Sequence, residues 1–178
     1  MPEIAGSQKR ITWWYALIFL AIVAVLLILD VATKEWIRAN LPLGGSFPEI
    51  WRLNIVHVQN TGSAFGLFTN QAFLLSAVAI AGLVVVLLFF RYLKDLGFMG
   101  GLALSLIFAG ALGNLIDRLR FGYVTDFIYI RLWGNVFWPA FNVADSAITV
   151  GAVLLAFVAL ANLGKKHEPK PGITKKDV

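Results

Sequence analysis

The chain has no cysteine and only two histidines, His57 and His167. Without thiols it forms no disulfide, runs no thiolate chemistry and builds no cysteine-based metal site. His57 falls in a stretch that reads as a strand and His167 in a basic terminal run, so a zinc site of the type built from two helix-borne histidines has no ligands. Charge is also scarce: 14% of the 178 residues are charged while 59% are apolar, which is too greasy for a soluble fold of this size. The solvent must be lipid, and carboxylates are the groups left for chemistry.

Long apolar runs are what the chain does have. Crossing a hydrocarbon core of about 30 Å takes about 20 apolar helical residues. Four such runs occur, Ile11 to Leu29, Ala72 to Phe90, Gly97 to Ile116 and Val143 to Leu163, each bounded by charged or polar clusters. The first is too long for the apolar part of a cleavable signal, ends on Asp30 and Lys34, and is followed by no small-residue cleavage site. It reads as a retained anchor.

Lys9 and Arg10 precede the first run, Arg91 and Lys94 sit in the short second connection, and Lys165, Lys166, Lys170, Lys175 and Lys176 fill the terminal segment. The positive-inside rule then places both termini in the cytoplasm and residues 31–71 and 117–142 outside. Trp13, Trp14, Tyr15 and Tyr92 suit one interface, and Trp36, Trp51, Trp133 and Trp138 the other. The net charge of +5 is explained by orientation and anionic lipid, so no nucleic-acid partner is expected.

Both outer segments carry structure. In the first, Pro42, Gly44, Gly45, Ser46 and Pro48 stop any helix continuing from Lys34. Trp51 to Val58 alternates as a strand does, Gln59-Asn60-Thr61-Gly62 reads as a turn, and Ser63 and Ala64 lead into Phe65-Gly66-Leu67-Phe68, predicting a small lid over Asn60 to Phe68. In the second, Tyr123 to Ile130 reads as a strand, Gly134-Asn135 as a turn and Val136 to Phe141 as an extended stretch broken by Pro139. The expected fold is an all-α membrane core of four transmembrane helices with a small extracytoplasmic β-rich lid or cradle, made of two sheet-forming elements facing each other. Residues 1–163 form one domain; residues 164–178 form a basic, disordered tail.

Ionisable groups near hydrocarbon are costly, and each is a functional candidate. Asp30 and Lys34 lie four residues apart and can pair on one helix face. Gly101, Ser105, Ala109 and Gly113 make a small-residue stripe for close helix approach, and one more turn brings Asp117, with Asn114 and Arg118 beside it. Asp117 followed by Arg118 reads as charge-compensated. Asn142 can cap the fourth helix, placing Asp145 in its first turn, where the helix dipole favours a carboxylate, and Thr149 keeps the same face polar one turn on. Asp126, flanked by Val124, Phe127 and Ile128, needs a partner. Two carboxylates in one site share a proton, which equips an aspartic peptidase; buried carboxylates can equally relay protons or bind a cation in a small transporter or scaffold.

Five blocks then stand together: Asp30 to Lys34, Asn60 to Gly66, Gly110 to Arg118, Val124 to Phe127, and Phe141 to Ile148. In this order they resemble the lipoprotein signal peptidases, the signal peptidase II family of aspartic intramembrane peptidases. The resemblance implies an aspartic endopeptidase of a bacterial cytoplasmic (inner) membrane, active near the outer face, cutting a diacylglyceryl-modified prolipoprotein just before the lipidated cysteine. It assigns catalysis to Asp126 and Asp145 and support to Asp30, Lys34, Asn60, Asn114, Asp117, Arg118 and Asn142. It implies a monomer whose partners are prolipoprotein and membrane lipid, with neither metal nor organic cofactor. Gln59 and Ser63 depart from what is common in the family and put no catalytic residue in doubt. The Gly-x-Gly-Asp motif of another intramembrane protease class is absent.

Overall fold

The computed structural model describes residues 13–48, 51–62, 71–90, 93–134 and 136–166. In chain order the elements are α1 (Trp13–Asn40), β1 (Leu53–Asn60), α2 (Ala72–Phe90), α3 (Leu93–Phe121), β2 (Val124–Trp133), β3 (Val136–Phe141) and α4 (Val143–Lys166). Four helices, Trp13–Asn40, Ala72–Phe90, Asp95–Phe121 and Val143–Leu163, are long and apolar enough to cross a membrane. The protein is therefore a multi-pass membrane protein with a small antiparallel sheet.

Two helices outrun their apolar runs. At 28 residues α1 is about 42 Å long, and it passes Leu29 to end at Asn40, just before Leu41-Pro42, where proline disfavours helix in the residue ahead of it. His57 closes that end, its Nδ1 2.7 Å from the carbonyl oxygen of Leu41. Helix α3 is broken near its start by Gly97, at φ 67° and ψ −175°. It continues past Ile116 to Phe121, where Gly122, at φ 79°, donates its N–H to the Arg118 carbonyl at 2.9 Å; the left-handed conformation ends the helix as a C-terminal glycine does. Helix α4 reaches Lys166, so the expected tail begins with three helical residues; 167–178 lie outside the described residues.

The strands form one sheet in the order β1-β2-β3, rather than two elements facing each other. Pairing runs Leu53 to Ile130 through Asn60 to Val124, and a bulge between Ile55 and Val58 inserts an extra residue in β1. Gln59 and Asn60, expected in a turn, are strand residues opposite Thr125 and Val124; their polarity disguised the last pair of the ladder. The strands also start and stop later than expected, at Leu53–Asn60 and Val124–Trp133 instead of 51–58 and 123–130. Of the expected lid, Asn60, Thr61 and Gly62 are described, and Ser63 to Phe68 lie outside the described residues.

Helix α3 is the hub, packing on α4, α1 and α2, while α2 packs chiefly on α3. Phe19, Val23, Val86, Leu104 and Ala109 form the apolar core. Ser105 and Ala109 of the small-residue stripe are buried. The closest approach to α4 is made one residue off that stripe, at Gly110, where a Cβ would collide with the Ala144 carbonyl and the Ile148 side chain. At Gly113 it would collide with the Asp30 carboxylate, so this glycine makes room for a buried charge.

Candidate active site

The ends of α1 and α3 and the start of α4 meet β2 in a cluster of buried polar side chains. Lys34 is fully buried and Asp30 nearly so. Lys34 Nζ lies 2.7 Å from Asp30 Oδ2 and 3.6 Å from Asp117 Oδ2, and donates to Asn114 Oδ1 at 2.9 Å. Asp30 Oδ1 accepts the backbone N–H of Ala144 at 2.9 Å, tying α1 to the first turn of α4. Burying an ammonium is tolerable only with such complete pairing.

Asp117 is compensated chiefly by groups other than Arg118, whose charge interacts with Asp145 first, then Asp126, and only then Asp117. Its partners come from α1: Lys34, and Arg38, whose Nη1 is 3.3 Å from Oδ1. It also accepts the backbone N–H of Thr125 at 3.0 Å, so it holds β2 to α3. Adjacent helix residues point about 100° apart and do not face each other, which is why Arg118 turns elsewhere, donating to the carbonyls of Gly62 at 3.3 Å and Asn114 at 3.5 Å. Arg38 lies outside the motif blocks, but its place four residues after Lys34 puts it on the same face of α1.

Asp126, in β2, and Asp145, in the first turn of α4, are joined by Asn142. The Asn142 Nδ2 donates to Asp126 Oδ1 at 2.7 Å, its Oδ1 accepts the Asp145 N–H at 2.9 Å, and its own N–H donates to Asp145 Oδ2 at 3.2 Å. The last two bonds make a reciprocal cap, as expected of Asn142. Asn60 Nδ2 donates to Asp126 Oδ2 at 2.8 Å, and Asn114 Nδ2 to Asp145 Oδ1 at 2.8 Å. Burial, and after it the charge of Asp145, push the Asp126 carboxyl from an ordinary 3.8 up to about 7, against the pull of the Asn60 and Asn142 N–H groups and of Lys34. All nine residues named for the site, Asp30, Lys34, Asn60, Asn114, Asp117, Arg118, Asp126, Asn142 and Asp145, thus belong to one connected network.

A cavity of about 720 Å³ adjoins it. Leu75, Val78 and Ala79 of α2, Ala111, Asn114 and Arg118 of α3, Asp145, Ser146 and Thr149 of α4, and Trp138 to Phe141 of β3 line it. Asp145 and Asn60 reach the cavity wall; Asp126, 1% exposed, lies behind Asn60. Among the described residues no three histidine, aspartate or glutamate side chains gather as a metal would require.

The sequence has close relatives. The family model of signal peptidase (SPase) II matches residues 22–161. The lipoprotein signal peptidase of Moorella thermoacetica is 39% identical over 153 residues, 85% of this chain and 99% of that one. That of Geobacter sulfurreducens is 46% identical over 143 residues, 78% of this chain and 89% of the relative. A bacterial membrane enzyme solved by the in meso method at 2.3 Å resolution superposes with a TM-score of 0.77 at 34% identity, covering 86% of this chain and 94% of that one. With a buried polar site on a matching fold and this breadth of identity, the chain belongs to the signal peptidase II family, the peptidases that cleave lipoprotein signal peptides.

Proposed function

We propose that the chain is an aspartic endopeptidase that cuts a diacylglyceryl-modified prolipoprotein immediately before the lipidated cysteine, with Asp126 and Asp145 as the catalytic pair. The observation that supports this most strongly is the Asn142 bridge between two carboxylates of unlike surroundings: Asp126, buried and raised to about 7, and Asp145, at a helix N-terminus and on the cavity wall. Two acids whose environments differ in this way divide into a proton donor and a base.

In this reading Asp126 carries the shared proton. Asp145 takes a proton from a water whose oxygen attacks the scissile carbonyl, while Asp126 gives its proton to the carbonyl oxygen, making a geminal diol. The diol returns one hydroxyl proton to Asp126, Asp145 passes its proton to the departing nitrogen, and the C–N bond breaks to a carboxyl and an amine. Arg118 and Asn114, on the same wall, face the peptide. Helices α2 and α4 both line the cavity while packing on α3, so the signal peptide enters sideways from the bilayer and the acyl chains stay in lipid. Both termini face the cytoplasm and the site faces the outer side, the orientation favoured by the distribution of Lys and Arg. Residues 1–163 act as one domain, and the protein works as a monomer.

A gel-shift assay on protein purified in detergent, with diacylglyceryl-modified prolipoprotein as substrate, tests the pair. Wild type releases the signal peptide, and Asp126→Asn and Asp145→Asn each remain folded and release none. Turnover at the normal rate by either variant would overturn the assignment.

A further inference from the structure

The site contains an amide whose orientation is dictated from both sides. Asn114 Oδ1 accepts from Lys34 Nζ at 2.9 Å and from Asn142 Nδ2 at 3.2 Å, while its Nδ2 donates to Asp145 Oδ1 at 2.8 Å. An ammonium only donates and a carboxylate only accepts, so turning the amide over would set donor against donor and acceptor against acceptor. Asn142 is locked in turn. Its Nδ2 has two hydrogens, one directed to Asp126 Oδ1 at 2.7 Å and the other shared between Asn114 Oδ1 at 3.2 Å and the Thr125 carbonyl at 3.4 Å, and its Oδ1 is taken by the Asp145 N–H. Lys34, fully buried on α1, therefore begins a chain of oriented amides with two arms, Lys34 to Asn114 to Asp145 and Lys34 to Asn114 to Asn142 to Asp126.

We propose that Lys34 is a positioning residue for catalysis: through the Asn114 amide it aims an N–H at Asp145 and, through Asn142, another at Asp126, and so holds the pair in its working geometry. It touches neither acid and acts only through the two amides. The proposal rests on the pairing of Asp126 with Asp145 argued above. Its physical content is polarity. A positive charge at the carbonyl end of Asn114 aligns the amide dipole so that its N–H end stabilises negative charge on Asp145. The charged groups around the pair are Asp30, Lys34 and Arg38 from α1, Asp117 and Arg118 from α3, Asp126 from β2 and Asp145 from α4; β3, which also lines the cavity, has no titratable residue. Arg38 answers Asp117, and removing Lys34 together with Asp30 leaves the balance of charge unchanged.

The test is therefore the double variant Asp30→Asn/Lys34→Met, purified in detergent and compared with wild type for kcat, KM and pH profile on diacylglyceryl-modified prolipoprotein. An asparagine at position 30 keeps an oxygen for the Ala144 N–H. The expected result is a kcat lower by on the order of tenfold to a hundredfold, a KM within about twofold, and the alkaline limb of the pH profile displaced upward, because Asp126 loses the favourable field of Lys34. A merely structural role would lower the folded fraction and leave kcat per folded molecule and the alkaline limb in place, and that result overturns the proposal. Asn114→Asp keeps the question open to experiment if the double variant does not fold. It is nearly the same size and preserves an oxygen toward Lys34 and Asn142, but replaces the N–H facing Asp145 by oxygen. It should fold and show the same loss of kcat and the same upward displacement; wild-type kcat and profile in Asn114→Asp would overturn the proposal. The two readings fail separately: turnover by Asp126→Asn or Asp145→Asn removes the catalytic pair, whereas inactive pair variants beside an undisplaced Asp30→Asn/Lys34→Met profile remove only the role of Lys34.

Discussion

The side chain of Asn60 crosses the sheet diagonally to Asp126, donating from Nδ2 to Oδ2 at 2.8 Å, although the backbone partner of Asn60 is Val124 and that of Asp126 is Val58. The last residue of β1 thus governs a carboxylate in β2. It also holds the Gly62 N–H through its Oδ1 at 3.0 Å, so the same side chain shapes the chain that leaves the strand. Asn60→Ala removes one N–H that favours the ionised form of Asp126. Turnover is expected to fall about tenfold, the worth of one buried hydrogen bond to a charged group, and the alkaline limb of the pH profile to move up. A pH–rate series on purified variant and wild type checks both.

The pH dependence follows from Asp126 itself. If it supplies a proton, activity declines as pH rises through about 7, the value to which burial and Asp145 raise it. The apparent value belongs to the pair rather than to one residue. Steady-state rates from about pH 5 to about pH 9 read it directly.

Stability carries the opposite face of the same shift. Asp126 binds its proton more tightly in the fold than at the unfolded value of 3.8, so the folded protein holds more protons than the unfolded chain between about 4 and about 7. This group's contribution therefore decreases as pH rises across that window and is flat beyond it. Asp126→Asn removes the slope: its melting temperature should exceed that of wild type near pH 8 by more than near pH 4. Thermal unfolding in one detergent at both values tests the sign.

Gly110→Ala forces a methyl into the Ala144 carbonyl and the Ile148 side chain, at the tightest point between α3 and α4. A loss of about 1–3 kcal/mol, the usual cost of overpacking, is expected. Gly82→Ala on α2, where a Cβ meets nothing within 4 Å, is the matched control and should be neutral or mildly stabilising. Melting curves of the two variants side by side decide it.

Asp117→Asn leaves Arg38 and Lys34 short of one buried counter-charge and weakens the tie to the Thr125 N–H. The expected effect is lower yield and a lower melting temperature, with turnover per folded molecule within a few fold of wild type. Quantifying active enzyme by folded fraction separates the two.

The four spans are legible in the sequence because lipid demands continuous apolar stretches, and nothing else in a short chain produces them. Helix ends are less so. Asp30 to Asn40 continues α1 although it breaks the apolar run, because its polar face meets Asn114, Asp117 and Thr125 rather than lipid. The single sheet was hidden for a different reason: β1 and β2 are distant in sequence, and the bulge before Val58 breaks the period on which a register could be read. The nine candidate residues stand out by charge and motif, yet the closest partners of Asp117 come from α1, because nearness in sequence is not nearness on a helix. Arg38 shares the α1 face of Lys34 but belongs to none of the five motif blocks.

Helices α2 and α4 flank the cavity as two posts set on α3, and the sideways entry proposed above would make encounter with substrate two-dimensional. A signal peptide entering that way would reach the acids by diffusing within the bilayer, so that the rate would be governed by the mole fraction of prolipoprotein among the surrounding lipid or detergent rather than by its amount per litre. Diluting enzyme and substrate with more detergent should slow cleavage as surely as removing substrate does, and diluting both with buffer should hardly slow it.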